Sequence, residues 1–237
     1  EGIPYTSNQL AECLRKGAAE FGWPEARKRE KTDGHLRRGI GVAACLWGYS
    51  GGPPSTVIVK LYAVGSVDLN MGASDIGTGT KTWAAMIVAE ELGVAVDRIQ
   101  IEHADTATTQ YATSSGGSKT VPSDSPAVRA AAYAVKKQLM QMAAEQLEVE
   151  ESDLEHRGQA IVSTSDPETT VEVTALEKLG RQGIVVGTGY REPNPEGTAT
   201  CPFAAQFCEV EVNTRTGEVR VLRFLGAHDS GRVLNRL

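Results

Sequence analysis

The sequence predicts an α+β fold, a two-layer α/β sandwich with a mixed sheet. Three observations predict it. Several segments are β-rich, helices and strands follow one another in both orders, and alternating valines near the end of the chain mark a long hairpin. An N-terminal helix and linker take residues 1–34, and the main domain takes 35–237, with a more variable α/β portion at 150–200.

From Ser7, "SNQLAECLRKGAAEFGW" has a serine suited to capping, apolar residues at helical spacing and Gly22 as a stop, so it predicts a helix. Residues 24–34 are charged and turn-rich and read as a linker. The segments "GIGVAACLWGYS" and "STVIVKLYA" predict strands on either side of a Gly51-Gly52-Pro53-Pro54 turn, and "GSVDLNMG" predicts a third. In "KTWAAMIVAEELG", Trp83, Met86 and Ile87 form an apolar stripe on a helix closed by Gly93. "RIQIEHAD" is a strand, and a loop from Thr106 to Pro122 leads to an alanine-rich helix through about Gln146, with Ser123 or Ser125 as cap and Pro126 near its start.

Beyond Glu150 the elements are short: a turn at "ESDLEHRG", a strand "QAIVSTS", a helix around "VTALEKLG" and a strand "GIVVGTGYRE". A Pro/Gly loop at 192–200 precedes the hairpin, whose turn contains Gly217. The chain starts at Glu1 rather than a methionine, and "HDSGRVLNRL" follows the last strand as a polar turn, so a piece of a longer protein is expected.

Composition narrows the partners. The 237 residues are 41% apolar and 23% charged, with a net charge of −6 spread along the chain, which disfavours nucleic acid and anionic membrane surfaces and favours a small molecule. No apolar run is long enough to cross a bilayer. Cys13, Cys45, Cys201 and Cys208 are far apart and show no CxxC spacing, so they read as free buried thiols. That points to a reducing compartment, the cytoplasm, with the periplasm as the alternative. His35, His103, His156 and His228 are scattered without metal-ligand spacing.

The chemistry concentrates in "DIGTGTKT", residues 75–82, at a strand-to-helix turn. A Walker P-loop requires lysine directly after its last glycine, but Gly77 is followed by Thr78 and Lys81 comes too late. The dinucleotide fingerprint fails as well, because Thr82 stands where its third glycine belongs. Glycines that permit close approach, threonine hydroxyls and a following helix remain, and they suit an anion. A helix end that satisfies its own amides is the competing reading. A second such stretch, "TSSGGSKT" from Thr113 to Thr120, leads into the other long helix. Two such turns favour an extended anionic ligand with more than one attachment point.

"GASDIGTGTKTWAAMIVAEELGV", "SSGGSKTVPSDSPAVRAAA" and "HDSGRVLN" resemble, in order and spacing, the molybdenum-cofactor-binding large subunit of the xanthine dehydrogenase and aldehyde oxidoreductase family. The D-I-G-T-G-T form and "PYTSNQLAECLRKGAAEFGW" look most like the bacterial aldehyde-oxidase branch. The resemblance implies the sandwich of that cofactor-binding domain. It implies hydroxylation of an aldehyde or N-heterocycle with water-derived oxygen, at a molybdopterin commonly extended as the cytosine dinucleotide. It also implies iron-sulfur clusters and FAD on partner subunits or domains. Cofactor contacts fall by position on Gly77, Thr78, Gly79 and Thr80 and on Gly116, Gly117 and Ser118, with Thr78 where many relatives carry glutamine. The family's catalytic glutamate sits in a glycine-rich segment with no counterpart here. No catalytic residue and no metal ligand is therefore assigned, Glu90, Glu91, Glu209 and Glu211 included, and the chain is expected to be inactive alone. A non-enzymatic phospholigand-binding or assembly module of the same fold is the alternative.

Overall fold

The structure, a computed structural model, describes residues 2–29, 34–48 and 51–235. The chain forms two compact units, Glu1–Tyr49 with Pro195–Val233 and Ser50–Asn194 with Leu234–Leu237. The division expected near residue 34 falls inside the first of these.

In the first unit, helix α1 (Leu10–Phe21) and the short α2 (Trp23–Lys28) lie with an antiparallel sheet. Its strands are β1 (Leu36–Leu46), β9 (Phe203–Asn213) and β10 (Val219–Asp229), with β9 in the centre. Gly22 ends α1 in the left-handed region, as the sequence predicts. Ser7 does not cap it: Asp229 Oδ2 accepts from the Gln9 amide at 2.9 Å and Asn8 Oδ1 from the Leu10 amide at 3.2 Å. The predicted linker is helical at Trp23–Lys28, and its remainder at 30–33 lies outside the described residues. A Cβ added to Gly17 would sit 2.3 Å from Phe207, so α1 approaches β9 only because that position is glycine. Glu209, buried on β9, is held by Arg223 and Arg29, and this ion pairing pushes its carboxyl below the usual range.

The second unit is a two-layer sandwich. Its mixed sheet runs β4 (Ile99–His103), β3 (Val67–Met71), β2 (Thr56–Tyr62) and β8 (Ile184–Tyr190). β3 and β4 are parallel and the other pairs antiparallel. Val57, Val59 and Leu61 alternate into the core, where they meet Ala127, Ala131, Val135 and Leu139 of α4 (Thr120–Leu147). α3 (Thr80–Leu92) packs beside α4. Its buried row is Thr80, Ala84, Val88 and Leu92 with Trp83, whereas Met86 and Ile87 are only half-buried. The row follows a four-residue step, which the predicted stripe misplaced by choosing the larger side chains.

A small antiparallel sheet of β5 (Leu154–Arg157), β6 (Ala160–Ser163) and β7 (Thr170–Glu172) follows α4, and α5 (Glu177–Gln182) precedes β8. The turn expected at 151–158 is thus a short 3₁₀ segment, Glu151–Asp153, running into a strand, and β7 is an addition.

α4 begins earlier than expected. It starts at Thr120, so Ser123 is a buried interior residue and Pro126 lies well inside the helix. Pro126 has no N–H for the Pro122 carbonyl. Arg191 Nε donates to that carbonyl instead, at 2.9 Å, so the helix keeps its proline without an orphaned acceptor. Against the sheet, α4 rests on two glycines. A Cβ at Gly187 would lie 2.2 Å from the Ala131 carbonyl oxygen, and one at Gly189 2.0 Å from that of Ala127.

The Gly189→Ala variant is expected to lose about 1–3 kcal/mol of stability, because the helix must move off the strand. Urea unfolding checks this, and a loss under about 0.5 kcal/mol, the range of a neutral surface change, would contradict the close approach.

Candidate functional site

Both glycine-rich turns leave the same sheet region and lead into the two long helices. The first follows β3. A Cβ at Gly72 would lie 1.9 Å from the Gln110 carbonyl oxygen, so the two loop backbones touch here. Asp75 then folds back over the turn. Its Oδ1 accepts from the amides of Gly77 at 2.9 Å, Thr78 at 3.1 Å and Gly79 at 3.3 Å, and its Oδ2 from that of Lys81 at 3.2 Å. The Lys81 amide above all, then those of Gly77, Gly79 and Thr78, holds the Asp75 carboxyl below the usual range.

The expected convergence of turn amides on an external anion is therefore corrected. A carboxylate of the chain itself already occupies that position. Gly77 and Thr78 are exposed, Gly79 is the N-cap of α3 at φ +73°, and Thr80 is fully buried with its hydroxyl 3.4 Å from that of Thr78.

The second turn differs. Gly116, Gly117 and Ser118 are all exposed, and the Lys119 amide donates to the Gly116 carbonyl at 3.3 Å. Gly117 and Ser118 have φ of +61° and +60°, the two left-handed central residues of a type I′ turn. For serine that conformation costs about 1 kcal/mol, and such residues cluster at ligand clamps. Neither N-cap residue, Gly79 of α3 or Lys119 of α4, makes a side-chain capping bond, and at α3 Asp75 reaches the Lys81 amide from the preceding turn. Thr113 Oγ1 and Gln110 Oε1, buried in the loop leading to this turn, have no hydrogen-bond partner.

The two turns are joined. Ser115 Oγ donates to the Ser74 carbonyl at 2.6 Å and lies 3.1 Å from Ser74 Oγ, while Ala112 forms a bridge to Ser55 at the foot of β2. The residues assigned from the sequence thus lie on two adjoining loops, except Thr80, which is the first, buried residue of α3. The competing reading, in which Asp75 or Ser74 pairs the turn amides, is the one found for Asp75, an aspartate two residues before a glycine; Ser115 was missed. Among the described residues, no group of three or more His, Cys, Asp or Glu is placed to hold a metal ion. No helix of the described residues is long and apolar enough to cross a membrane.

Residues 16–237 match the molybdopterin cofactor-binding domain family. The chain belongs to that family. It is 32% identical, over 98% of its length, to the aldehyde oxidoreductase molybdenum-binding subunit PaoC of Escherichia coli (strain K12), and it covers 30% of that protein. To the carbon monoxide dehydrogenase large chain of Afipia carboxidovorans it is 28% identical, over 99% of its length and 32% of the relative. The solved CO dehydrogenase of Oligotropha carboxidovorans superposes with a TM-score of 0.81 at 26% identity, covering 94% of this chain and 30% of that one. The chain thus spans about a third of the length of the relatives it matches. The two-layer sandwich with a mixed sheet is the fold of this family's cofactor-binding domain.

Removing the capping carboxylate by Asp75→Ala should cost about 1–2 kcal/mol at neutral pH. Because the folded pKa is depressed, the ionic part of this contribution is present above the unfolded pKa and disappears as pH falls through the lower folded value. Urea melts at pH 7 and pH 3 should show the gap between the two proteins narrowing in acid; a gap that widens would contradict the assignment.

Proposed function

We propose that the chain is part of the molybdopterin-binding large subunit of a molybdenum hydroxylase, acting on an aldehyde, with an N-heterocycle as the second substrate class. The observation that supports the reading is the second turn: exposed, left-handed at both central residues, and joined through Ser115 to the first glycine-rich turn. The similarity to a subunit named for aldehyde oxidation favours that branch.

Each residue then has a role. Gly116 and Gly117 let the backbone come close to a phosphate of the cofactor, and the Ser118 hydroxyl donates to it, at the positive end of the 28-residue α4. In the first turn Gly77 and Gly79 leave room, and Thr78 offers its hydroxyl. The amides of that turn serve Asp75, so it contributes shape and a hydroxyl, not an anion nest. The partnerless, buried Thr113 hydroxyl fits a polar group approaching the second loop. Two attachment points suit the extended cytosine dinucleotide form. When bound, the molybdenum centre supplies the redox step by which oxygen from water enters the substrate. Electrons would leave to iron-sulfur and FAD groups on partner subunits.

The chain alone should hold no stoichiometric molybdenum and show no aldehyde-dependent dye reduction, and either property in it would refute the proposal that the rest of the subunit completes the site. Within the whole subunit, Gly117→Val should lower cofactor content several-fold, since a β-branched side chain is strained at positive φ. Fluorescence of the released, oxidised pterin measures this. Wild-type content would remove the second turn from the site.

A further inference from the structure

The geometry points to Ser115 as a positioning residue, whose hydroxyl staples the two glycine-rich turns into one register so that a single ligand can span both. This deepens the cofactor reading and rests on it. The two turns lie on separate loops, one after β3 and one before α4, and nothing in their sequence fixes their relative height. Three contacts fix it. The missing side chain of Gly72 lets its backbone sit against Gln110, and Ala112 pairs with Ser55. Nearest the turns is the pair of serines.

Proton counting gives the pair a direction. The one hydroxyl proton of Ser115 goes to the Ser74 carbonyl at 2.6 Å, so the bond between the two hydroxyls, at 3.1 Å, takes its proton from Ser74. Ser115 Oγ therefore takes part in both bonds, Ser74 Oγ in one. The pair is only part-buried, so a purely structural contribution to stability should be small. Its position is what matters: Ser74 directly precedes the capping Asp75, and Ser115 directly precedes Gly116. A shift of either serine carries its turn along.

The asymmetry makes the test specific. Amide hydrogen exchange is followed in the chain for residues 72–80 and 113–119, and pterin content is measured in the whole subunit, for Ser115→Ala, Ser74→Ala, the double variant and Ser115→Thr. Ser115→Ala should speed exchange several-fold in both loops at once and lower pterin content several-fold. Ser74→Ala should do less, the double variant no more than Ser115→Ala, and Ser115→Thr, which keeps the hydroxyl, should restore both readouts. Unchanged exchange in Ser115→Ala, or equal and additive effects of the two alanines, would overturn the staple. Faster exchange with wild-type pterin content would overturn the positioning role. A wild-type subunit that carries no pterin would sink the cofactor reading and with it the positioning role, and would be distinguished because the exchange data still report on the staple.

Discussion

The close approach of α4 to β8 governs the second unit. Gly187 and Gly189 expose bare backbone on the core face of the strand, and the carbonyl oxygens of Ala127 and Ala131 come within about 2 Å of where side chains would start. Such contact sets the height of a helix along a sheet to within a fraction of a residue, because any slide brings a Cβ into backbone. α4 starts one residue after the Gly116–Ser118 turn, so the same contact holds the helix end that the turn adjoins, while the Ser74–Ser115 contact ties the turn to the neighbouring loop. Arg191, at the end of β8, supports the arrangement from the other side by donating to the carbonyl that Pro126 leaves unpaired. Strand, helix start and turn are thereby one mechanical piece.

The two helix ends solve the same electrostatic problem in opposite ways. Each begins with unpaired amides and a partial positive charge. At α3 the chain supplies its own anion, Asp75, which takes four amides with its two oxygens. At α4 the N-cap Lys119 makes no side-chain capping bond, and the preceding residues hold a left-handed turn that includes a serine.

Much of this was legible in the sequence, and the exceptions have physical causes. Alternation exposed β2, whose Val57, Val59 and Leu61 face the core, and the alternating valines around the Gly217 turn exposed the β9–β10 hairpin. Gly22 and Gly93 marked helix ends because only glycine enters the left-handed region freely. The start of α4 was hidden because Pro126 looks like a first-turn proline, and its tolerance deeper in the helix depends on Arg191, far away in sequence. The buried face of α3 was hidden for a related reason: close helix packing selects small Ala84 and Val88 over larger Met86 and Ile87. At the site, residue types gave the two loops, but only tertiary structure shows Ser74 and Ser115 in contact across 41 positions.

The failure of both nucleotide fingerprints has the same origin as the Asp75 cap. In a phosphate cradle of the P-loop kind, the turn amides must be vacant and a lysine must follow the last glycine to balance the bound charge. Here Thr78 stands in the lysine position and the aspartate ahead of the turn has filled the amides, so the turn is electrostatically closed before any ligand arrives. A ligand reaching it meets threonine hydroxyl and glycine surface, which orient without adding charge. In the proposed reading the charge complement is the start of α4, one loop away. On the proposed reading, an elongated anion would set its phosphate on the second turn and its neutral, hydrogen-bonding portion against the first, an arrangement that a compact triphosphate is too short to make.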